Sequence, residues 1–394
     1  MSALKIAFWL PAGLLCYSHL GYPAILALLA KSRRSSRSAW PPRRYDSRAT
    51  EAESSAGHGR ELPTVSVIVP AYAEEAVISD RVSNLRSLSY PRHLLEIVVA
   101  CDGSPDMTPQ RAREAGADVV LELPRGGKIH AQDAAVARAK GEIVAFSDAN
   151  VRWEAEALSA LVEPFADPRV GYVCGEVRLV NERGTNQEGL YWRYEMLVRA
   201  LESRLRSVTG GNGAIYATRR ESYLVVEPIM GHDLSFPFNM VKRGWLAVYA
   251  PDARATEKMV PTIEGEFQRK RRMMSHTWPI VVRGGLLSPR GYDPGYALMI
   301  LSHRVLRYAS PFLHLVALGA SLSLALAGAG PIYLTAVGVQ AGLLLAAVAA
   351  RVLPIRPLLV ARYYVLTSAS LVAGLWDWMR HGTPAGWEPA EGTR

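Results

Sequence analysis

Cysteine is scarce in this chain: Cys16, Cys101 and Cys174 are the only three in 394 residues, and no two stand in CxxC spacing. That excludes a disulfide scaffold and the usual cysteine-based zinc site. One cysteine falls in an apolar run and two in strand-like runs, the pattern of buried free thiols in a reducing compartment. Two nucleotide fingerprints are also missing. No GxGxxG follows the first strand-like run and no GxxxxGK[ST] loop occurs, so neither NAD nor ATP held by a P-loop is indicated. Charge, finally, is absent over long stretches. Ile6 to Ala30 has no Asp, Glu, Lys or Arg across 25 residues, enough at ~1.5 Å per residue to cross a hydrocarbon core of about 30 Å. Tyr308 to Ala350 has none across 43, and the turn-like AGAGP at 327 to 331 divides it into two expected spans.

What is present agrees with a membrane protein. The chain is 49% hydrophobic with a mean hydropathy of +0.05, high for a purely soluble domain. The first apolar run ends in Lys31, Arg33, Arg34, Arg37, Arg43 and Arg44 rather than a small-residue cleavage site. This reads as a retained span, with the following residues on the cytoplasmic side by the positive-inside rule. Arg351, Arg356 and Arg362 precede YYVLTSASLVAGLW, whose 14 uncharged residues fit either a third C-terminal span, with Arg362 snorkelling to the headgroups, or an interfacial helix. The side of the C-terminal tail depends on which. The net charge of +9 sits largely beside these apolar runs, so anionic lipid accounts for it and nucleic acid is not called for.

The resulting division is an N-terminal transmembrane helix (1–31), a basic flexible linker (32–62), a soluble domain (63–290), a C-terminal membrane region of two or three helices (291–380) and a tail (381–394). In the soluble part VSVIVP (65–70), LEIVVACDG (95–103), DVVLEL (118–123) and EIVAFSDAN (142–150) are short β-branched runs. They alternate with helical stretches such as Glu75–Ser87 and Ile129–Ala139. That pattern predicts an α/β fold with a mostly parallel, doubly wound, Rossmann-like sheet. Ligands bind such sheets beyond the carboxyl ends of the strands. Three of the strand-like runs end in polar tips there: PAYAEE, CDGSPD and SDAN.

Taken in order, VSVIVPAYAEE, IVVACDGSPDMT, RGGKIHA, VAFSDAN, GNGAIYA, GHD at 231 to 233 and QRKRR at 268 to 272 resemble the family 2 glycosyltransferases of the GT-A fold. The membrane-embedded branch, which includes cellulose, hyaluronan and poly-N-acetylglucosamine synthases, is the most similar. The resemblance runs from about residue 63 to 290.

It implies a UDP-sugar donor and a divalent cation, Mg²⁺ or Mn²⁺. A hard cation takes oxygen ligands and keeps much of its shell from phosphate and water. By the resemblance DAN occupies the family's DxD position, so Asp148, with Asn150 in place of the second Asp, would hold the metal. The other reading of that triplet is an Asx turn. Asp102 would lie by the uracil and ribose, with Pro70, Ala71, Tyr72 and Glu74 forming another wall of the donor site; Ala73 stands where the family has Asn. Lys128 would reach a phosphate, or be a solvated lysine opening a helix. The family's ALN after that lysine is here AQD, Ala131 to Asp133.

Asp233 of GHD matches the family's ED pair, with His232 in place of Glu, and would be the general base on the acceptor hydroxyl. As a structural alternative it caps a helix. Gly211, Asn212 and Gly213 would bring backbone near the acceptor, or form a plain turn. Gln268 with Arg271, or Arg269 with Arg272, approximate the family's QxxRW without its Trp. These groups would clamp the diphosphate or lie on a basic interfacial helix near 266 to 285.

The implied activity is an inverting transfer of sugar from a UDP-sugar to a growing exopolysaccharide or lipid-linked glycan, at the cell membrane, by a multi-pass protein with its catalytic domain in the cytoplasm. Transfer of a single sugar to a polyprenyl phosphate or lipid is the competing enzyme reading, which the missing Trp favours. A non-catalytic membrane scaffold is the third, opposed by the retained Asp102, Asp148 and Asp233.

Overall fold

The computed structural model describes residues 1–32, 62–180, 188–260 and 262–386. The expected linker and the last residues of the tail lie outside these. The chain forms two compact units.

One unit comprises Leu29–Val180, Ser203–Met259 and Pro384–Arg394. Its core is an eight-stranded sheet of β1 (Val65–Ala71), β2 (Leu95–Asp102), β3 (Val119–Leu123), β4 (Ile143–Phe146), β5 (Val151–Trp153), β6 (Val170–Val180), β7 (Tyr216–Arg219) and β8 (Leu246–Lys258). The order is β3-β2-β1-β4-β7-β6-β8-β5. β3, β2, β1 and β4 run parallel; β7 is antiparallel to both β4 and β6, and β5 to β8, while β6 and β8 are parallel. The first four strands follow the sequence expectation closely. Of the helices between them, Ile78–Arg86 and Lys128–Arg138 lie close to their expected places, and a third, Thr108–Glu114, joins β2 to β3.

Every residue of β1 is buried, which is why it reads as a continuous apolar run instead of an alternating one. Proline removes a ladder donor and is normally excluded from a central strand. Pro70 is accommodated because β4 pairs with β1 only from Val65 to Ile68, while β2 continues alongside to Ala71. The last bond on the β4 side runs from the Ser147 amide to the Ile68 carbonyl at 3.0 Å. Beyond it the β1–β4 pairing ends, and the tips of both strands form one edge of the sheet. Ile68, Val98, Val144, Phe146, Tyr172, Tyr216 and Phe236 form the core behind it, with Ala131 and Ala135 of the helix Lys128–Arg138 packed among them.

The other unit comprises Met1–Leu28, Asn181–Glu202 and Val260–Thr383. Residues 181–202 and 260–290, placed with the soluble domain by sequence, therefore group with the apolar helices. Among the described residues four helical segments are long and apolar enough to cross a membrane: Ser2–Ser32, Pro294–Leu326, Pro331–Ala349 and Arg356–His381. The helix Pro331–Ala349 exposes Ile332, Leu334, Val339, Leu344, Leu345 and Val348, a surface suited to lipid.

Within this unit two π-helical turns, Tyr17–Gly21 and Ile300–Val305, interrupt the first and second of those segments. Tyr17 and Ser302 share a hydrogen bond of 2.8 Å. Glu202 accepts from the Tyr22 hydroxyl at 2.6 Å and meets His303 Nδ1 at 2.8 Å. Glu195 meets His303 Nε2 at 3.3 Å and pairs with Arg307. The buried carboxylates of Glu195 and Glu202 are thus both met by partners, as a low-dielectric surrounding demands.

Two expectations are corrected here. Arg362 does not snorkel: it is buried, bonded to the Ala347 carbonyl at 3.2 Å and ion-paired with Glu264, because a carboxylate within the unit replaces the headgroup water. Cys101 and Cys174 are buried free thiols, but Cys16 is exposed on its helix, where an apolar thiol can face lipid.

The helix Arg356–His381 packs against the helix Ile263–Val282. Trp278 Nε1 donates to the Leu371 carbonyl at 2.9 Å, and a Cβ on Gly374 would stand 2.6 Å from Met274 Cβ and 2.8 Å from the Arg271 oxygen. Gly374→Leu is therefore expected to lower the thermal midpoint of the detergent-solubilised protein, at a cost of about 1–3 kcal/mol for overpacking. Gly342→Leu, with nothing within 4 Å of its added Cβ, should leave the midpoint unchanged; equal effects from the two would refute the close crossing.

Candidate active site

Asp102, the last residue of β2, is fully buried, and its charge is met by the loop that follows β3. The Gly126 amide donates to Oδ1 at 2.7 Å, the Gly127 amide reaches both oxygens at 3.0 Å, and Arg125 pairs with Oδ2 at 3.1 Å. Gly127 has φ +98°, a left-handed conformation that turns the chain from this loop into the helix Lys128–Arg138. The Arg125 guanidinium also lies over the Tyr72 ring, 3.2 Å from its centroid, in a cation–π contact. Tyr72 is half-buried and Glu74 buried, with the Glu74 amide bonded to Thr108 Oγ1 at 2.9 Å; Pro70 and Ala71 are buried at the end of β1. Asp102 and Tyr72 are thus brought together, by an arginine that the sequence reading passed over.

Just past the end of β4, Asp148 pairs with Lys128, the first residue of its helix; both side chains are 29% exposed. Burial works against the Lys128 ammonium, but the Asp148 carboxylate and, beyond it, Asp233 hold its pKa above the ordinary lysine value. The lysine is therefore a permanent cation. Asn150, two residues from Asp148, is half-buried. A second cation was not apparent in the sequence: Arg81, from the helix Ile78–Arg86, is buried over Trp153, and its Nε and Nη2 have no hydrogen-bond partner among the described residues. Burial lowers its pKa to about 9, opposed by the charge of Asp148. No signal short of the fold distinguishes it from a surface arginine.

Asp233 lies in the first turn of the helix His232–Lys242 and is half-buried. The Gly211 amide donates to its carbonyl at 2.6 Å, which joins the GNG loop to this helix start. Asn212 is committed to that loop, donating to the Gly175 carbonyl at 2.6 Å and accepting from the Ile215 amide at 2.9 Å. Gly213 faces Lys128: a Cβ there would stand 3.6 Å from Nζ.

His232 is buried and stacks on Phe236 at 3.9 Å. Burial, reinforced by the Lys128 ammonium, pushes its pKa well below the histidine range, so the imidazole is neutral. With the Gln132 amide as oriented, its Nε2 donates to the Tyr216 hydroxyl at 3.1 Å, and that hydroxyl is 2.8 Å from His232 Nδ1. The phenol then gives its own proton to Nδ1, which leaves the imidazole proton on Nε2.

Gln268, Arg269, Arg271 and Arg272 lie on the helix Ile263–Val282 of the other unit. There Arg271 makes a bidentate pair with Asp377 at 2.6 and 2.7 Å, and Arg269 a pair with Glu266 at 2.8 Å. Two of these cations therefore already have carboxylate partners.

Asp148 and Asp233 set two carboxylates in electrostatic range of the Lys128 ammonium, so an anionic ligand would need added positive charge at this site. Asp148 and Asn150 supply hard oxygen donors, a set that fits Mg²⁺ or Mn²⁺ when phosphate completes the shell. Lys128 offers a point charge, and Asp233 a carboxylate able to take a proton.

Residues 66–225 match the family description Glycosyl transferase family 2. An N-acetylglucosaminyltransferase from Rhizobium leguminosarum bv. trifolii is 32% identical over 130 residues, covering 31% of this chain and 70% of that protein. A beta-monoglucosyldiacylglycerol synthase from Nostoc sp. is 30% identical over 164 residues, covering 39% of this chain and 34% of that protein. The chain spans a third to little over half of the length of most curated relatives it matches. Among solved structures, a mannosyltransferase from Pyrobaculum calidifontis, in complex with GDP-Man and Mn2+, has a TM-score of 0.67 and 24% identity over 95% of this chain and 99% of its own. That likeness is one of fold.

The turn after β1 carries one strained residue. Ala73 has φ +53°, the only non-glycine residue with positive φ among those described. Asn tolerates this region far better than Ala, since its side chain bonds locally. The structure thus gives a reason for the Asn that the family places there. Ala73→Asn is expected to raise stability by roughly 1 kcal/mol, seen as a higher thermal midpoint; a lower midpoint would show that the surroundings, not the backbone, select alanine.

Proposed function

The chain belongs to glycosyl transferase family 2, and from that premise we propose that it is a membrane-bound, inverting enzyme that moves a sugar from a UDP-sugar to a growing exopolysaccharide or a lipid-linked glycan. The observation that carries this reading is the pairing of Asp148 with Lys128 just past the tip of β4, with Asp233 in electrostatic range of the same ammonium and Asp102 at the tip of β2. The nucleotide sits against Tyr72 and the Asp102 loop. Asp148 and Asn150 would hold Mg²⁺ or Mn²⁺, which would supply positive charge to the departing diphosphate. Lys128, always protonated, adds a second positive charge there and is free to exchange its Asp148 partner for phosphate oxygen.

Asp233 removes the proton from the acceptor hydroxyl as that oxygen attacks the anomeric carbon. His232 does not compete for this proton, because burial disfavours its charged form. The four apolar helices anchor the enzyme in the cell membrane, and the arginines at 33 to 44 keep the catalytic unit on the cytoplasmic side, where the donor is made. Membrane lipid and a glycan or lipid-linked acceptor are its partners; nucleic acid is not.

Transfer of one sugar to a lipid or polyprenyl phosphate is the second reading. Arg272 stands in the Trp position of the Gln268 and Arg271 motif, and Arg271 is engaged by Asp377, so the acceptor-side feature of processive relatives is lacking. Purified protein in nanodiscs, given labelled UDP-sugars and lipid extract, distinguishes the two by whether product stays lipid-soluble or lengthens. Consumption of no sugar nucleotide at all would leave the scaffold reading standing.

Turnover should require Mg²⁺ or Mn²⁺, and Asp148→Asn should abolish nearly all of it in a folded protein; full activity in excess EDTA would remove the metal from the scheme. Asp233→Asn should keep nucleoside diphosphate affinity within a few-fold of the parent while transfer falls by about 10² or more, the usual contribution of a placed base. Near-parent transfer by that variant would put the base elsewhere.

A further inference from the structure

The loop that meets Asp102 makes a second contact, and it is with the C-terminal tail. A Cβ on Gly127 would fall 2.2 Å from the Ala385 carbonyl oxygen, and one on Gly386 would lie 3.5 Å from Arg125 Nη2. Both residues belong to the same compact unit as the sheet. The loop Arg125–Gly127 is therefore held at two places, by the buried Asp102 carboxylate and by backbone of the tail.

In this arrangement the nucleotide pocket is closed. Arg125 rests 3.2 Å from the Tyr72 centroid, which leaves no gap for the plane of a base. Asp102 is fully buried and accepts from Arg125 and two amides, so it offers no oxygen to a ribose. A base that stacks on Tyr72 needs Arg125 to move aside. Because Ala385 and Gly386 lie against Gly127 and Arg125, that movement displaces them too.

We propose that Ala385 and Gly386 latch the Arg125–Gly127 loop over the donor pocket, with Arg125 as the gate that leaves Tyr72 when a nucleoside diphosphate binds. This rests on the reading above that the donor nucleotide sits against Tyr72 and the Asp102 loop. The latch lowers apparent nucleotide affinity by the fraction of molecules in which it is open.

The test uses the full-length protein in nanodiscs and a chain ending at Thr383, titrated calorimetrically with UDP and with GDP in the presence of Mg²⁺. With the open form at about a tenth of the population, loss of the tail tightens binding by up to about tenfold. Damage to the pocket would move affinity the other way. A second measurement needs only the full chain: Ala385→Cys in a Cys16→Ser background, where Cys101 and Cys174 are buried, should react faster with a thiol reagent once nucleotide is added. This rate decides the matter if the shortened chain does not fold. Unchanged or weaker binding by a folded shortened chain, or labelling that nucleotide leaves unchanged or slows, overturns the latch. A parent protein that binds neither nucleotide overturns the donor-site reading itself, a result separable from failure of the latch alone.

Discussion

A buried carboxylate must have its charge met, and much of the site follows from how Asp102 meets that requirement. It ends a strand in the middle of a parallel run, where no water reaches it. The nearest donors are those of the chain emerging from β3, whose last residue, Leu123, pairs with Asp102 itself. Closing the amides of Gly126 and Gly127 onto the carboxylate requires the left-handed turn at Gly127. That turn fixes where the next helix starts, and Lys128 at its first position is thereby delivered to Asp148. Removing the charge would leave two amides and a guanidinium without their acceptor, a larger loss than a single surface pair.

The electrostatics of the site follow from the same placement. Asp148, Asp233 and Lys128 are close enough to influence one another, and Arg81 adds positive charge from beneath. The fold thus surrounds Asp148 with fixed cations before any ligand arrives. His232, at a position where the family carries an acid, contributes a neutral ring bonded through Tyr216 to Gln132. A neutral ring there adds no negative charge beside Asp233.

The first half of the sheet was legible because parallel, doubly buried strands leave continuous β-branched runs in the sequence, and the polar residues ending those runs fall at one edge by topology alone. The later strands were not, since β5 is three residues long and β6 to β8 mix parallel and antiparallel pairing that local pattern does not encode. Arg125 and Arg81 escaped notice for a related reason. Their roles depend on Tyr72, Asp102 and Trp153, partners far away in sequence. Arg362 was assigned to the headgroups for want of Glu264, 98 positions earlier. The apolar helices were plain from composition, but the polar seam that joins them was not.

That seam also bears on how the protein is made. Tyr17 and its partner Ser302 are 285 residues apart, and Tyr22 and Glu202 are 180 apart. At roughly 5–20 residues per second, the ribosome needs on the order of 15–60 s to supply Ser302 after Tyr17 has emerged. During that interval Tyr22 gains Glu202 first, while Tyr17 waits for the later helices to bring Ser302. A nascent chain stalled before residue 300 should therefore present a loosely held first helix, open to chaperones and proteases, that becomes protected late in synthesis.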